Sequence, residues 1–114
     1  MGKFIYGTPS VSIDFDDRVL AHLKAVIVAK LRRNESFTFS WEYEASSGSG
    51  HTSVWLNPAI PVQFDFLGSR APRLNKAWLE ELIQLANSPA GLRVTPEPAE
   101  QVAPAPTRAA VEGK

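Results

Sequence analysis

Apolar positions recur along this chain with two different periods, and the change from one to the other marks out its elements. Between Asp14 and Arg33, Leu20, Leu23, Ile27 and Leu31 return every three or four residues, and Val19 and Val26 widen the stripe. That is the spacing of a helix with one buried face. Asp16 and Asp17 suit its positive end and can accept from first-turn amides, Lys30, Arg32 and Arg33 suit its negative end, and Asn34 is a stop signal. The β-branched run Val26, Ile27 and Val28 would also fit a buried strand, but length and end chemistry favour the helix.

On either side the period is two. Lys3 to Tyr6, the turn Gly7-Thr8-Pro9, and the alternation of Val11, Ile13 and Phe15 with Ser10, Ser12 and Asp14 predict an opening hairpin. After the helix, Phe37, Phe39, Trp41 and Tyr43 alternate with Ser36, Thr38, Ser40, Glu42 and Glu44, the clearest strand in the chain. Thr52 to Asn57 and the alternating Val62, Phe64 and Phe66 follow across the linkage 45–50 and the turn Asn57-Pro58-Ala59-Ile60-Pro61, which predicts a three-stranded meander. A second helix runs from about Lys76 to Asn87, capped by Asn75, with Trp78, Leu79, Leu82, Ile83 and Ala86 as its buried stripe; Leu92-Arg93-Val94 is a candidate edge strand.

These elements predict an α+β fold in the order ββαβββα, with a last β if the edge strand forms. One antiparallel sheet of five or six strands carries both helices on a single face, covering the aromatic row. Residues 1–96 form the domain, and beyond Pro96 the chain turns to Pro, Ala, Glu, Gln and Thr, so 97–114 is expected to be a disordered tail.

Composition narrows the function classes. A chain of 114 residues holds one core, and 12 Lys plus Arg against 12 Asp plus Glu leave no overall field toward nucleic acid or an anionic membrane. The absence of cysteine removes disulfides, thiol catalysis and cysteine-held zinc, and two histidines are too few for a histidine-rich metal site. No stretch reaches the roughly 20 apolar residues of a membrane span and the first residues lack a signal-peptide pattern, so the expected location is cytoplasmic, with no membrane, metal or cofactor.

Candidate chemistry is sparse. Ser47 to Thr52 superficially suggests a phosphate loop but lacks the Gly-Lys-Ser/Thr ending, and reads as a hairpin connection. His51 needs a nucleophile and a carboxylate in space; Ser49, Ser53 and Asp65 are available without a spacing rule, and a solvated turn histidine is the simpler reading. Asp14, Asp16 and Asp17 do not match a calcium loop. The four aromatics of 37–43 can be a base-stacking platform or the sheet's core face; no basic residues are interleaved with them, which favours the core. Arg18, Arg32 and Arg33 share the helix side away from the apolar stripe, with His22 expected exposed among them, and form the best candidate for an anionic contact. Trp55, on the polar side of its strand, and the outward Val28 are candidate interaction residues.

Met-Gly-Lys-Phe-Ile-Tyr-Gly, Phe-Asp-Asp-Arg-Val-Leu-Ala-His-Leu-Lys, Ala-Lys-Leu-Arg-Arg-Asn-Glu-Ser-Phe, Ser-Val-Trp-Leu-Asn-Pro and Leu-Ala-Asn-Ser-Pro-Ala-Gly-Leu resemble a family of small actinobacterial and phage proteins, many of them labelled ATP-dependent DNA ligase. The resemblance covers Met1 to Pro98 and implies a connection with DNA transactions. A complete ligase would need a nucleophilic lysine in a Lys-x-Asp-Gly motif, and none of Lys3, Lys24, Lys30, Lys76 and Lys114 begins one. The reading that follows is a small non-catalytic binding or assembly domain, able to self-associate. Its rival is an accessory factor in DNA transactions that makes a weak phosphate contact through Arg18, Arg32 and Arg33.

Overall fold

Phe4 and Phe39, on strands 35 residues apart in sequence, meet edge to face with ring centroids 5.4 Å apart, and the core is built outward from them. The computed structural model describes residues 1–45 and 48–99. The remainder of the expected linkage (46–47) and most of the expected tail (100–114) lie outside the described residues. Strands β1 (Gly2–Tyr6) and β2 (Val11–Phe15) precede helix α1 (Asp17–Arg32); β3 (Phe37–Ala45), β4 (Gly48–Leu56) and β5 (Val62–Asp65) precede α2 (Lys76–Ala86), and β6 (Leu92–Arg93) follows it.

The fold is α+β with two helices and six strands, and the strands divide into two sheets of three, ordered β2-β1-β5 and β4-β3-β6. The expectation of one antiparallel sheet of five or six strands is corrected to two sheets. The difference lies at β5, which does not continue the meander from β4 but pairs antiparallel with β1, aligning Phe64 with Phe4 and Val62 with Tyr6. Pro58 and Pro61 cannot donate to a ladder, and the Pro61 carbonyl instead accepts from Gly7 N at 3.1 Å, steering the chain to the first sheet. β6 lies parallel to β3, setting Leu92 beside Phe39. The linkage expected over 45–50 is shorter than its composition suggested, because Gly48 already pairs with Ala45 and β4 starts there.

Alternation holds on the inner faces. Phe4 and Tyr6 of β1, Phe37, Phe39 and Trp41 of β3, and Leu56 of β4 are buried. Tyr43 departs from the aromatic row: it is 48% exposed, and its ring lies over Gly50, where an added Cβ would come within 2.8 Å of the hydroxyl oxygen. The Tyr6 hydroxyl donates to the Trp55 carbonyl, joining the two sheets by a polar contact beside the shared core.

Helix α1 buries Leu20, Leu23, Val26 and Ile27 as its period requires, but also His22 and Lys30. Those two lie on a second face, at i and i+8 with Val26 between them, against α2. The His22 and Trp78 rings are 4.5 Å apart near the start of α2, and the Lys30 ammonium donates to Asn87 at its end, so the helices run side by side in the same sense. At α2 the expected stripe is narrower: Trp78, Leu82 and Ala86 are buried, whereas Ile83 is exposed. Asn75 caps α2 as expected, accepting from Ala77 N and Trp78 N.

Candidate functional site

With the sheets and α2 occupying two sides of α1, a third side remains, carrying Ala21, Lys24, Ala25, Val28, Ala29 and Arg32. The loop from Phe66 to Leu74 runs opposite it, and the two enclose a groove of about 470 Å³. Small side chains at 21, 25 and 29 keep its floor low. Val28, Phe66, Pro72 and Leu74 make it apolar, and Lys24, Arg32 and Arg70 stand at its margins. Among the described residues no carboxylate lines it.

The loop is held by Asp17. Asp16 makes no side-chain capping bond, contrary to the expectation for the pair, while the Asp17 carboxylate accepts from Gly68 N at 2.9 Å and Leu67 N at 3.2 Å. The Gly68 and Leu67 amides hold this carboxyl below its ordinary range. Gly2 permits the same approach from the other side, since a Cβ there would fall 2.6 Å from both the Asp65 carbonyl and Leu20 and 2.8 Å from Asp17.

The three arginines of the expected anionic surface are distributed rather than gathered. Arg32 is exposed at one end of the groove. Arg33, with its side chain 70% exposed, turns toward Glu35 at 3.4 Å. Arg18 lies at the opposite end of the helix, its guanidinium on both carboxylate oxygens of Glu97 and on the Arg73 carbonyl. The companions of Arg32 are Lys24 and Arg70, which sequence reasoning did not group with it. Lys24 was visible two turns before Arg32 on the same helix side, but nothing in the sequence signals that the loop brings Arg70 across. Lys24 sits 5.6 Å over the Phe66 ring, so one aromatic face is already covered by a cation.

His22 is not among the surface cations. It is fully buried, with Nε2 accepting from Asn75 N at 2.7 Å and Nδ1 2.7 Å from the Arg18 carbonyl. Since Nε2 accepts, Nδ1 carries the proton and donates, which assigns the tautomer. Asn75 in turn donates from Nδ2 to Glu97 and to the Pro98 carbonyl, so Arg18, His22, Asn75 and Glu97 form one network. Glu97 and Pro98, the first residues of the expected tail, are docked against the start of both helices. Arg18 and Asn75 together hold the Glu97 carboxyl down to about 2.

The other candidates lie away from this groove. His51 pairs with Glu42 across β4 and β3, and Ser49 lines the same shallow surface depression, whereas Asp65, the carboxylate expected near it, belongs to the other sheet. Asp14 is bound to Lys3 at 2.8 Å. Among the described residues there is no group of three or more potential ligands placed to hold a metal, and no helix is long and apolar enough to cross a membrane. Trp55 is 58% exposed on the outward side of β4, opposite Thr38, and Val28 is half-buried in the groove, so these two belong to different surfaces.

No curated protein and no solved structure matches the chain. A family profile described as a domain of unknown function, DUF7882, matches residues 1–97, ending on the residue that closes against Arg18. With 97 of 114 residues inside that match, the protein belongs to the DUF7882 family.

Proposed function

We propose that this is a non-catalytic binding or assembly domain that works through the outer side of α1. The observation that carries the reading is the groove itself, an apolar floor bounded by Lys24, Arg32 and Arg70. Concave, mostly apolar sites with a few placed charges are the usual form of a binding site. Trp55 supports an assembly role on a separate face, since a large exposed aromatic in a polar setting is characteristic of interfaces. Light scattering of the purified protein measures that role, and Trp55→Ser is expected to lower the associated fraction.

The groove is tested with anilinonaphthalenesulfonate, a small amphiphile with apolar rings and one anionic group. Its emission rises on mixing with the native protein, and Ala25→Trp, which fills the floor, removes the rise. An unchanged rise in that variant counts against the reading.

The second reading is an accessory role in DNA transactions, the sense of the ligase label carried by the proteins this chain resembles. It is favoured by three cations around the rim, Lys24 and Arg32 on the helix side and Arg70 on the loop side, with no carboxylate among the described lining residues. It predicts a salt-dependent shift of labelled nicked duplex, lost in Arg32→Glu with Arg33→Glu. No shift at low salt removes it.

A further inference from the structure

We infer that the α1 groove receives an acidic amphipathic helix from a partner protein, an apolar stripe flanked by carboxylates. The inference rests on the reading of the groove as a binding site and specifies its occupant. Three observations lead to it.

The first is shape. From Ala21 to Arg32 the floor follows eleven residue steps of α1, roughly 17 Å at the helical rise, about three turns of a partner helix. Alanines on the floor allow a second backbone to approach closely, as in helix-in-groove recognition.

The second is the apolar surface that extends from the groove. Leu74 lines it and is 43% exposed, and Leu67, next to Phe66 on the same loop, is 78% exposed. Side chains of this size on a loop pinned by Asp17 are held out toward solvent by a fixed backbone. A docking partner would cover them.

The third is charge. Lys24 and Arg32 stand eight residues apart on one margin and Arg70 on the other. Neither arginine has an ion-pair partner among the described residues. The whole chain is neutral, so this cationic rim is local and selects carboxylates lying on both flanks of an apolar stripe. A nucleic acid fits less well: phosphates use the rim but leave Val28, Pro72 and Leu74 without contact. Phe66, the single aromatic among the described lining residues, has a face covered by Lys24 and offers no open stacking platform.

The test uses fluorescence polarisation with a labelled synthetic helix bearing a leucine stripe flanked by glutamates, the same helix with lysines for the glutamates, and a labelled nicked duplex. The glutamate helix binds, the lysine helix binds about tenfold or more weakly, as expected for three lost charge pairs, and the duplex does not compete. Lys24→Glu with Arg32→Glu and Arg70→Glu, all at exposed positions, reverses the preference between the two helices. Equal binding of the two helices, an unchanged preference in the triple variant, or displacement by the duplex overturns the inference. If neither helix binds while Ala25→Trp still removes the dye emission, the occupant is wrong and the groove reading stands. If the dye response is insensitive to Ala25→Trp as well, both fall.

Discussion

Arg18 and Glu97, 79 residues apart in sequence, form a two-point ion pair, Nε to Oε1 at 2.7 Å and Nη2 to Oε2 at 2.6 Å. This pair closes the chain's last described segment over the starts of α1 and α2. Because Asn75 both caps α2 and donates to Glu97, the closure is tied to the helix terminus and, through Asn75 N, to buried His22.

The pair gives a pH dependence of defined sign. The Glu97 carboxyl is lowered from its ordinary 4.5 to about 2, chiefly by Arg18 and then by Asn75. A depressed folded-state value contributes stability that is fully present above about 4.5 and is lost as pH falls toward 2. Thermal midpoints measured across that window should fall in the native protein and fall less steeply in Glu97→Gln. Asp14, Asp17 and Glu35 are also lowered and contribute to both curves, so the difference between the two slopes is the measurement. Deletion from Glu97 onward should lower the midpoint at neutral pH, whereas deletion from residue 100 onward should leave it near the native value.

Replacing His22 should be costly although it lies on a helix first read as solvent-facing there. His22→Leu preserves an apolar fit beside Trp78 but leaves the buried Asn75 N–H without an acceptor. The expected loss is about 1–3 kcal/mol, the usual cost of orphaning a buried donor. Urea denaturation measures it, and a change within about 0.5 kcal/mol would place His22 among ordinary surface positions.

The contact between the sheets can be isolated with a single atom. Tyr6→Phe removes the hydroxyl that donates to the Trp55 carbonyl and keeps the ring packed near Phe4. A loss of about 0.5–1.5 kcal/mol is expected. Phe39→Ala, which empties the position touching Phe4, Phe15 and Trp41, should cost about 3–5 kcal/mol. Chemical denaturation of both variants ranks the two terms.

Asp17 shapes the groove without lining it. Asp17→Asn weakens both acceptors offered to the loop amides, so hydrogen exchange at Leu67 and Gly68 should accelerate while α2 amides keep their protection. The same variant should weaken dye binding to the groove. Normal exchange at 67 and 68 would mean that the loop holds its place by packing alone.

Much of the element order was readable because periodicity reflects one-sided burial. Leu20, Leu23 and Ile27 had to face a core whatever that core contained, and Phe37, Phe39 and Trp41 likewise. Asn75 was readable as a cap because its partners lie two and three residues away. Where reasoning along the chain failed, the partner was distant. His22 looked exposed because α1 was given one buried face, and α2 supplies a second. Asp17 looked like a cap because the competing amides come from 50 residues later. Tyr43 continued a perfect alternation but lies toward the far end of its hairpin, beyond the helices' cover.

By itself, the sequence determined the helices, the strands, the core residues nearest their centres and the neutral, cysteine-free character that narrows the chemistry. These follow from local stereochemistry and from which side chains leave water. Only the tertiary structure decided that β5 joins β1 to make two sheets, that Glu97 returns to Arg18, and that Arg70 stands across from Lys24 and Arg32. Each of those depends on which backbone donors and charges meet after the chain has turned several times, and spacing along a sequence carries no record of that meeting.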